Sequence, residues 1–133
     1  MAEIKLVLFD MDGTLLKDRG IFVIAEKLGF YDELMSYFTD KKDMEFYKKS
    51  YEIGMLCKGY KAQEFLDIFR QLPLQNNAQK IINTLKEKGI KTGIATDSYT
   101  LLSDDLKNRL GVDFAFGNNL ITVSYTHLRA HET

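Results

Sequence analysis

Residues 4–10 (IKLVLFD) form a nearly continuous run of β-prone apolar side chains, and Gly13 breaks the pattern soon afterwards. A strand with one face in water alternates apolar and polar residues, whereas a continuous run predicts a strand that is buried on both faces. Such strands are typical of parallel sheets that are covered by helices. The run is also far too short to cross a bilayer. The start of the chain therefore predicts the first strand of an α/β protein.

After Pro73 the sequence alternates between helix and strand patterns. Asn76, with Gln79 three residues later, predicts a capping box at a helix start, and a glycine ends that helix. A strand, a second helix and a short strand follow in that order, at residues 90–96, 101–110 and 113–117. Strands joined through helices predict right-handed crossovers and a parallel sheet.

Between these two parts the apolar residues recur with a helical period. One stripe begins at Ile21, another begins at Ala62, and Met44, Tyr47 and Tyr51 indicate a further helix between them. We therefore expect a small helical insertion after the first strand. Its many aromatic residues fit ordinary core packing as well as they fit a binding surface.

The last eleven residues, 123–133 (VSYTHLRAHET), differ in character from the rest of the chain. They contain both histidines, His127 and His131, and show no helix or strand period. Their sequence resembles the translation of a transposase sequencing adapter. We therefore interpret them as an artefact, exclude both histidines as metal ligands or catalytic bases, and expect the natural gene to continue beyond codon 122.

Charge and cysteine content limit the classes of partner and compartment. Lys and Arg number 18 and Asp and Glu 19, so the net charge of −1 predicts no general attraction to nucleic acid or to a membrane surface. Cys57 is the single cysteine, which excludes an internal disulfide and suits a reducing cytosol. No secretory signal opens the sequence, so we expect a cytoplasmic location. The sequence does not indicate the oligomeric state.

Two acidic residues, Asp10 and Asp12, lie where the first strand meets the turn at Gly13 (DMDGTL). Ligands of open α/β sheets bind beyond the carboxyl ends of the strands, and a pair of carboxylates there suits Mg²⁺. Asp10 could attack phosphorus, while Asp12 protonates the leaving alcohol and later activates water. The alternative is a solvated acidic turn, but this five-position pattern arises by chance in a chain of this length only about once in ten thousand.

The pattern DxDGTL resembles the first motif of the haloacid dehalogenase superfamily, and the resemblance extends over residues 4–120. It implies an α/β fold, with a Rossmann-like parallel sheet core that is incomplete at its C-terminal side. The core would comprise residues 1–17 and 73–122, and residues 18–72 would form a small helical cap inserted after the first strand. In one class of the superfamily such a cap covers the site.

The resemblance also implies roles for residues beyond the first motif. Thr96 matches the hydroxyl residue of the second motif, which holds a phosphoryl oxygen, and we expect Asp97 and Gly13 to contribute to the same phosphate site. The family's third motif, a lysine, and its fourth, an acidic pair, have no match in the sequence. Lys107 lies on a helix face and is interpreted as a surface residue. Without these groups we expect the chain as written to be nearly inactive.

The stretch from KGIKTGIAT to LGVDFAFGNNL is similar to the phosphoserine phosphatase branch, which implies a small phosphorylated metabolite as substrate. Two differences bear on the substrate. Asp97 and Ser98 replace two glycines, and Arg19 stands near the position of an acid that holds the substrate amine. Arg19 would favour a second anion, or it is a solvent-facing neighbour of Asp18. A phosphosugar mutase of the same fold and a non-catalytic module that binds phosphate or a partner stay open as alternatives.

Overall fold

The computed structural model describes residues 3–123 and 127–130, which form two compact units. The first unit contains the described residues up to Arg19 together with Leu72–Asn118, and the second contains Gly20–Gln71 together with the described residues from Asn119 onwards. The elements in chain order are β1 (Leu6–Phe9), α1 (Gly20–Leu28), α2 (Tyr31–Ser36), α3 (Phe46–Leu56), α4 (Ala62–Phe69), α5 (Ala78–Glu87), β2 (Lys91–Tyr99), α6 (Thr100–Leu110), β3 (Phe114–Asn118), β4 (Leu120–Val123) and β5 (His127–Ala130).

The first unit is built on a parallel sheet in the order β1-β2-β3. Phe9 of β1 is the register partner of Ile94 in β2, and Gly93 of β2 is the partner of Phe114 in β3. Helices α5 and α6 pack against β2, and α6 also packs against β3. The predicted parallel α/β sheet is therefore confirmed.

Strand β1 is shorter and more exposed than predicted. It begins at Leu6 instead of residue 4, and its Leu6 and Leu8 side chains are 47% and 52% exposed. Leu8 shares a sheet face with Gly93, because a Cβ added to that glycine would lie 2.8 Å from Leu8 Cδ2. Ile94 alternates with Gly93, so it faces the other side, where it is fully buried. Burial of β1 on both faces was therefore a wrong prediction, since β1 lies at the edge of the described sheet and its Leu6 and Leu8 side chains are exposed.

Helix α5 begins without the predicted capping box. Asn77 occupies the N-cap position with a left-handed φ of 67°, and it makes no side-chain capping bond. Gln79 Nε2 instead donates a hydrogen bond of 2.9 Å to the carbonyl of Leu110 at the end of α6. The predicted ends of the two helices are confirmed, because Gly89 and Gly111 adopt left-handed φ values of 73° and 74°.

Asp113 joins the start of β3 to β2. The Thr92 N–H donates a 2.8 Å bond to Asp113 Oδ2, and the Asp113 N–H donates a 3.0 Å bond to the Thr92 carbonyl. The Thr92 N–H holds the pKa of Asp113 below its ordinary value of 3.8, and Lys91 and Lys86 act in the same direction.

We expect Asp113 to make stability depend on acidity. Its pKa is lowered by folding, so its contribution is present above the ordinary aspartate range and is lost as the pH falls through the lowered pKa. Urea unfolding followed by circular dichroism should show that Asp113→Asn destabilises the chain at neutral pH. The difference from wild type should shrink as the pH falls below about 4. An unfolding free-energy difference that stays constant with pH would contradict this assignment.

The second unit contains four helices, α1 to α4, and the antiparallel pair β4 and β5. Helices α1, α3 and α4 match the predicted insertion, whereas α2 was not anticipated. Phe30, Tyr60 and Phe65 form a cluster with ring centroids 5.4 to 6.2 Å apart. Packing therefore accounts for these aromatic residues. Phe46 and Tyr47 at the start of α3 are instead 59% and 65% exposed.

Part of the C-terminal tail is regular in the structure. Strand β5 pairs with β4, with Leu120 opposite Ala130. Leu128 is buried, its N–H donates to the Tyr60 carbonyl at 2.9 Å, and its carbonyl accepts from the Gly59 N–H at 3.1 Å. Residues 127–130 therefore form a strand although their sequence shows no strand period. Residues 124–126 and 131–133 lie outside the described residues, and with them His131. The adapter origin of the tail stays a prediction.

Cys57 is fully buried in the second unit, and burial raises the pKa of its thiol to about 12. A protonated, buried thiol is a poor nucleophile. We expect Cys57 in the native chain to react with Ellman's reagent at least about a hundredfold more slowly than in the chain unfolded by urea. Stopped-flow absorbance near pH 8 measures both rates. Equal rates would show that the second unit does not bury this residue.

Candidate active site

Asp10 immediately follows Phe9, the last residue of β1, and its side chain is exposed at the carboxyl end of the strand. Asp10 Oδ1 accepts a 2.8 Å hydrogen bond from the Met11 N–H. Met11 itself is fully buried. The buried neighbour anchors the backbone, and the hydrogen bond orients the carboxylate.

The turn after Asp10 is organised around one carbonyl group. The Met11 carbonyl accepts hydrogen bonds from the N–H groups of Thr14, Leu15 and Leu16 at 3.3, 3.0 and 3.0 Å. Gly13 takes a φ of 76°, which is why a glycine is needed in this turn. Asp12 is half-buried within the turn. The second carboxylate is therefore held in a tight loop two residues after the first.

Contacts with the segment after Pro73 fix this loop. The Gln75 N–H donates to the Leu15 carbonyl at 2.8 Å, and Gln75 Nε2 donates to the Gly13 carbonyl at 3.3 Å. The Lys17 N–H donates to the Pro73 carbonyl at 3.1 Å. Sequence reasoning missed the role of Gln75, because nothing local marks a residue that bonds a loop 62 positions earlier.

Thr96 lies at the same edge of the sheet as Asp10. Phe9 of β1 is the register partner of Ile94 in β2. Asp10 follows Phe9 directly, and Thr96 lies two residues after Ile94. Neighbouring strands lie about 4.8 Å apart. The parallel register therefore places Asp10, one residue past the end of β1, level with Ala95 and next to Thr96 in the second half of β2.

Strand β2 continues to Tyr99, three residues beyond its predicted end at Thr96. Its pairing with β3 is irregular in this last part. The pairing shifts between Ala95, which is opposite Phe116, and Tyr99, which is opposite Asn118. Residues 96–98 therefore lie opposite the single residue Gly117, and we call them the 96–98 bulge. Within it the Ser98 N–H donates a 3.0 Å hydrogen bond to Thr96 Oγ1. Bulges re-aim side chains and are frequent next to active sites.

Two basic residues, Arg19 and Lys107, were also considered in the sequence analysis. Arg19 is exposed at the residue before α1, and its effect on substrate choice stays a prediction. Lys107 lies in the second half of α6, about 10 Å along the helix axis from Thr100. Its side chain is partly exposed.

The carboxylates fit a magnesium ion. No cluster of three or more His, Cys, Asp or Glu side chains suited to a metal occurs among residues 3–123 and 127–130. Mg²⁺ commonly takes only one or two protein carboxylates, because water and substrate phosphate fill its other positions. A pair of carboxylates two residues apart, such as Asp10 and Asp12, matches that requirement in residue type.

Comparison with known sequences finds relatives over most of the chain. A family model described as haloacid dehalogenase-like hydrolase matches residues 4–131. The phosphoserine phosphatase of Archaeoglobus fulgidus is 32% identical over 121 residues, which cover 89% of this chain and 35% of the relative. That of Lactococcus lactis is 28% identical over 130 residues, covering 96% and 60% respectively. The chain thus spans between one third and three fifths of the length of these relatives.

Solved structures share the fold. A HAD family hydrolase from Salmonella enterica serovar Typhi has a TM-score of 0.85 at 22% identity, over 92% of this chain and 43% of that one. A phosphoserine phosphatase in its apo form has a TM-score of 0.75 at 25% identity, over 94% and 60%. The predicted Rossmann-like α/β architecture is confirmed. None of the helices in the described part of the chain has the length and hydropathy to cross a membrane.

Proposed function

The chain belongs to the haloacid dehalogenase-like hydrolases, and from that premise we propose that it carries the nucleophile of a Mg²⁺-dependent phosphomonoester hydrolase. The observation that supports the proposal is the register of Phe9 with Ile94, because Asp10 then lies level with Ala95, the neighbour of Thr96. The relatives named above are phosphoserine phosphatases. A small phosphorylated metabolite is therefore the proposed class of substrate.

In the proposed reaction a carboxylate oxygen of Asp10 attacks phosphorus, and the bond from phosphorus to the ester oxygen breaks. Asp12 gives a proton to the departing alkoxide. It then takes a proton from the water that attacks the same phosphorus, which releases phosphate and regenerates the Asp10 carboxylate. Asp10 and Asp12 would hold Mg²⁺, which when bound would supply positive charge that offsets the charge of the phosphoryl group.

Thr96 is proposed to hold a phosphoryl oxygen during both steps. A hydroxyl group has one proton to donate and two lone pairs that accept. The Ser98 N–H already occupies an acceptor position of Thr96 Oγ1, so the hydroxyl proton can be donated to the ligand. The backbone N–H groups of Asp97 and Gly13 are proposed to add further donors at this edge.

The 133-residue chain alone is proposed to turn over slowly. The family's lysine and acidic pair have no counterpart in its sequence, and charge neutralisation is a large part of phosphoryl-transfer catalysis. We also propose that residues 123–133 come from a sequencing adapter. Sequencing the gene beyond codon 122 tests this, and a natural sequence that encodes the same eleven residues would contradict it.

The function is tested with the protein encoded by the complete gene. We expect it to release inorganic phosphate from phosphoserine, or from a phosphomonoester that has a carboxylate and no amine, and EDTA should abolish the release. The second substrate should be preferred if Arg19 favours an anion. Phosphate that returns to the substrate instead of to water would identify a mutase. Phosphate binding without turnover would identify a binding module, and either result would overturn the proposed hydrolase.

A further inference from the structure

We infer that Asn118 and Gly117, at the end of β3, are positioning residues that hold the 96–98 bulge in its phosphate-binding geometry. This inference rests on the proposed function, because it assigns how Thr96 is aimed at the phosphoryl group. Neither residue belongs to the acidic turn, and neither is near Thr96 in the sequence. They come to the bulge through the pairing of β3 with β2.

Asn118 holds the backbone of the bulge. Its Nδ2 donates a 2.8 Å hydrogen bond to the Asp97 carbonyl. The carbonyl of Asp97 and the N–H of Ser98 belong to one planar peptide group and point in opposite directions. A bond that fixes the carbonyl therefore also fixes the direction of the Ser98 N–H.

That N–H orients the hydroxyl of Thr96. It donates to Thr96 Oγ1 at 3.0 Å, so it occupies one lone pair and restricts where the hydroxyl proton can point. The contacts thus run from the Asn118 amide, through the peptide between Asp97 and Ser98, to the Thr96 hydroxyl. Preorganised donors of this kind act only if they are aimed before the reaction begins.

Gly117 supplies the space that the bulge occupies. A Cβ at this position would lie 3.1 Å from the Ser98 carbonyl oxygen and 3.2 Å from Thr96 Cγ2. Both distances are shorter than ordinary van der Waals contact, and the nearer atom is backbone. A side chain at 117 would therefore require the bulge to shift by a few tenths of an ångström.

The buried hydroxyls near the bulge do not replace this support. Ser98 Oγ and Ser103 Oγ are buried, and neither has a hydrogen-bond partner within the described residues. The Asn118 amide and the Ser98 N–H instead donate the hydrogen bonds that hold the backbone and the Thr96 hydroxyl of the bulge.

The test compares Asn118→Asp with wild type in the 133-residue chain by ¹H-¹⁵N NMR. The substitution keeps the size of the side chain, removes its donor and adds a negative charge that itself repels phosphate, so the neutral variant Gly117→Ala must show the same loss for the positioning role to stand. The Ser98 amide reports the bulge, and the Met11 amide, which bonds Asp10, reports Mg²⁺ binding. Titration with inorganic phosphate should show an affinity weakened about tenfold, while the affinity for Mg²⁺ changes by less than about twofold. A purely structural role would weaken both.

Two further variants complete the design. Gly117→Ala should reproduce the selective loss of phosphate affinity, which keeps the test usable if Asn118→Asp folds poorly. Asn83→Ala is the matched control, because Asn83 is an exposed helix residue whose side chain accepts a bond from Gln79. It should leave both affinities unchanged.

An unmoved Ser98 amide in Asn118→Asp, or phosphate affinity equal to that of wild type, overturns the positioning role alone. Parallel loss of phosphate and Mg²⁺ affinity in both β3 variants overturns it as well. A wild-type chain whose amides do not respond to phosphate overturns the positioning role, whereas the hydrolase itself is decided separately by phosphate release from the protein encoded by the complete gene.

Discussion

Replacing Asp10 with asparagine is expected to lower kcat for phosphate release by a factor on the order of 10⁴ or more. An amide oxygen is a poor nucleophile, so the covalent step is lost. The turn should survive, because the asparagine Oδ1 can still accept the 2.8 Å bond from the Met11 N–H. The measurement is steady-state phosphate release by the protein encoded by the complete gene, with saturating Mg²⁺.

The matched control for this prediction is Asp40→Asn. Asp40 is an exposed carboxylate of the second unit, so the same change of charge there should leave kcat within about twofold of wild type. If Asp10→Asn kept more than about a hundredth of the wild-type rate, Asp10 would not be the nucleophile.

Phe65→Ala is expected to cause the largest loss of stability, about 3 to 5 kcal/mol in the free energy of unfolding. Phe65 is 0% exposed, and its ring centroid lies 6.2 Å from that of Phe30 and 6.0 Å from that of Tyr60. Truncation leaves a cavity between these rings. Reaction of Cys57 with Ellman's reagent reports opening of the same unit, and its rate should rise by about two to three orders of magnitude.

Phe46→Ala provides the comparison, since it removes the same atoms from a side chain that is 59% exposed. Its effect on the unfolding free energy should stay within about 0.5 kcal/mol. Equal losses for the two variants would mean that the Phe30, Tyr60 and Phe65 cluster is not the core of the second unit.

Much of the fold and of the site follows from local sequence patterns. The alternation of strands and helices after Pro73 was sufficient to predict a parallel sheet. In such a sheet the carboxyl ends of all strands lie at the same edge. Asp10 and Thr96 could therefore be assigned to the same edge from the sequence. The stops at Gly89 and Gly111 were also predictable, because a left-handed residue commonly follows the last turn of a helix.

The errors arose where distant residues decide the outcome. The apolar run at β1 could not reveal its exposure, because burial depends on which segments cover each face. The 96–98 bulge could not be predicted either, since the Asn118 amide that holds it is 21 residues from its partner, Asp97. The start of α5 differed because Gln79, which was predicted to cap its own helix, bonds the end of α6 instead.

Hydrogen bonds join Lys17 to Pro73 and Leu15 to Gln75. They bring together the two points at which the chain leaves and re-enters the first unit. The entropy of closing a loop grows only with the logarithm of its length. A change in the length of the segment between these two points should therefore cost the first unit only about 0.6 kcal/mol for each doubling.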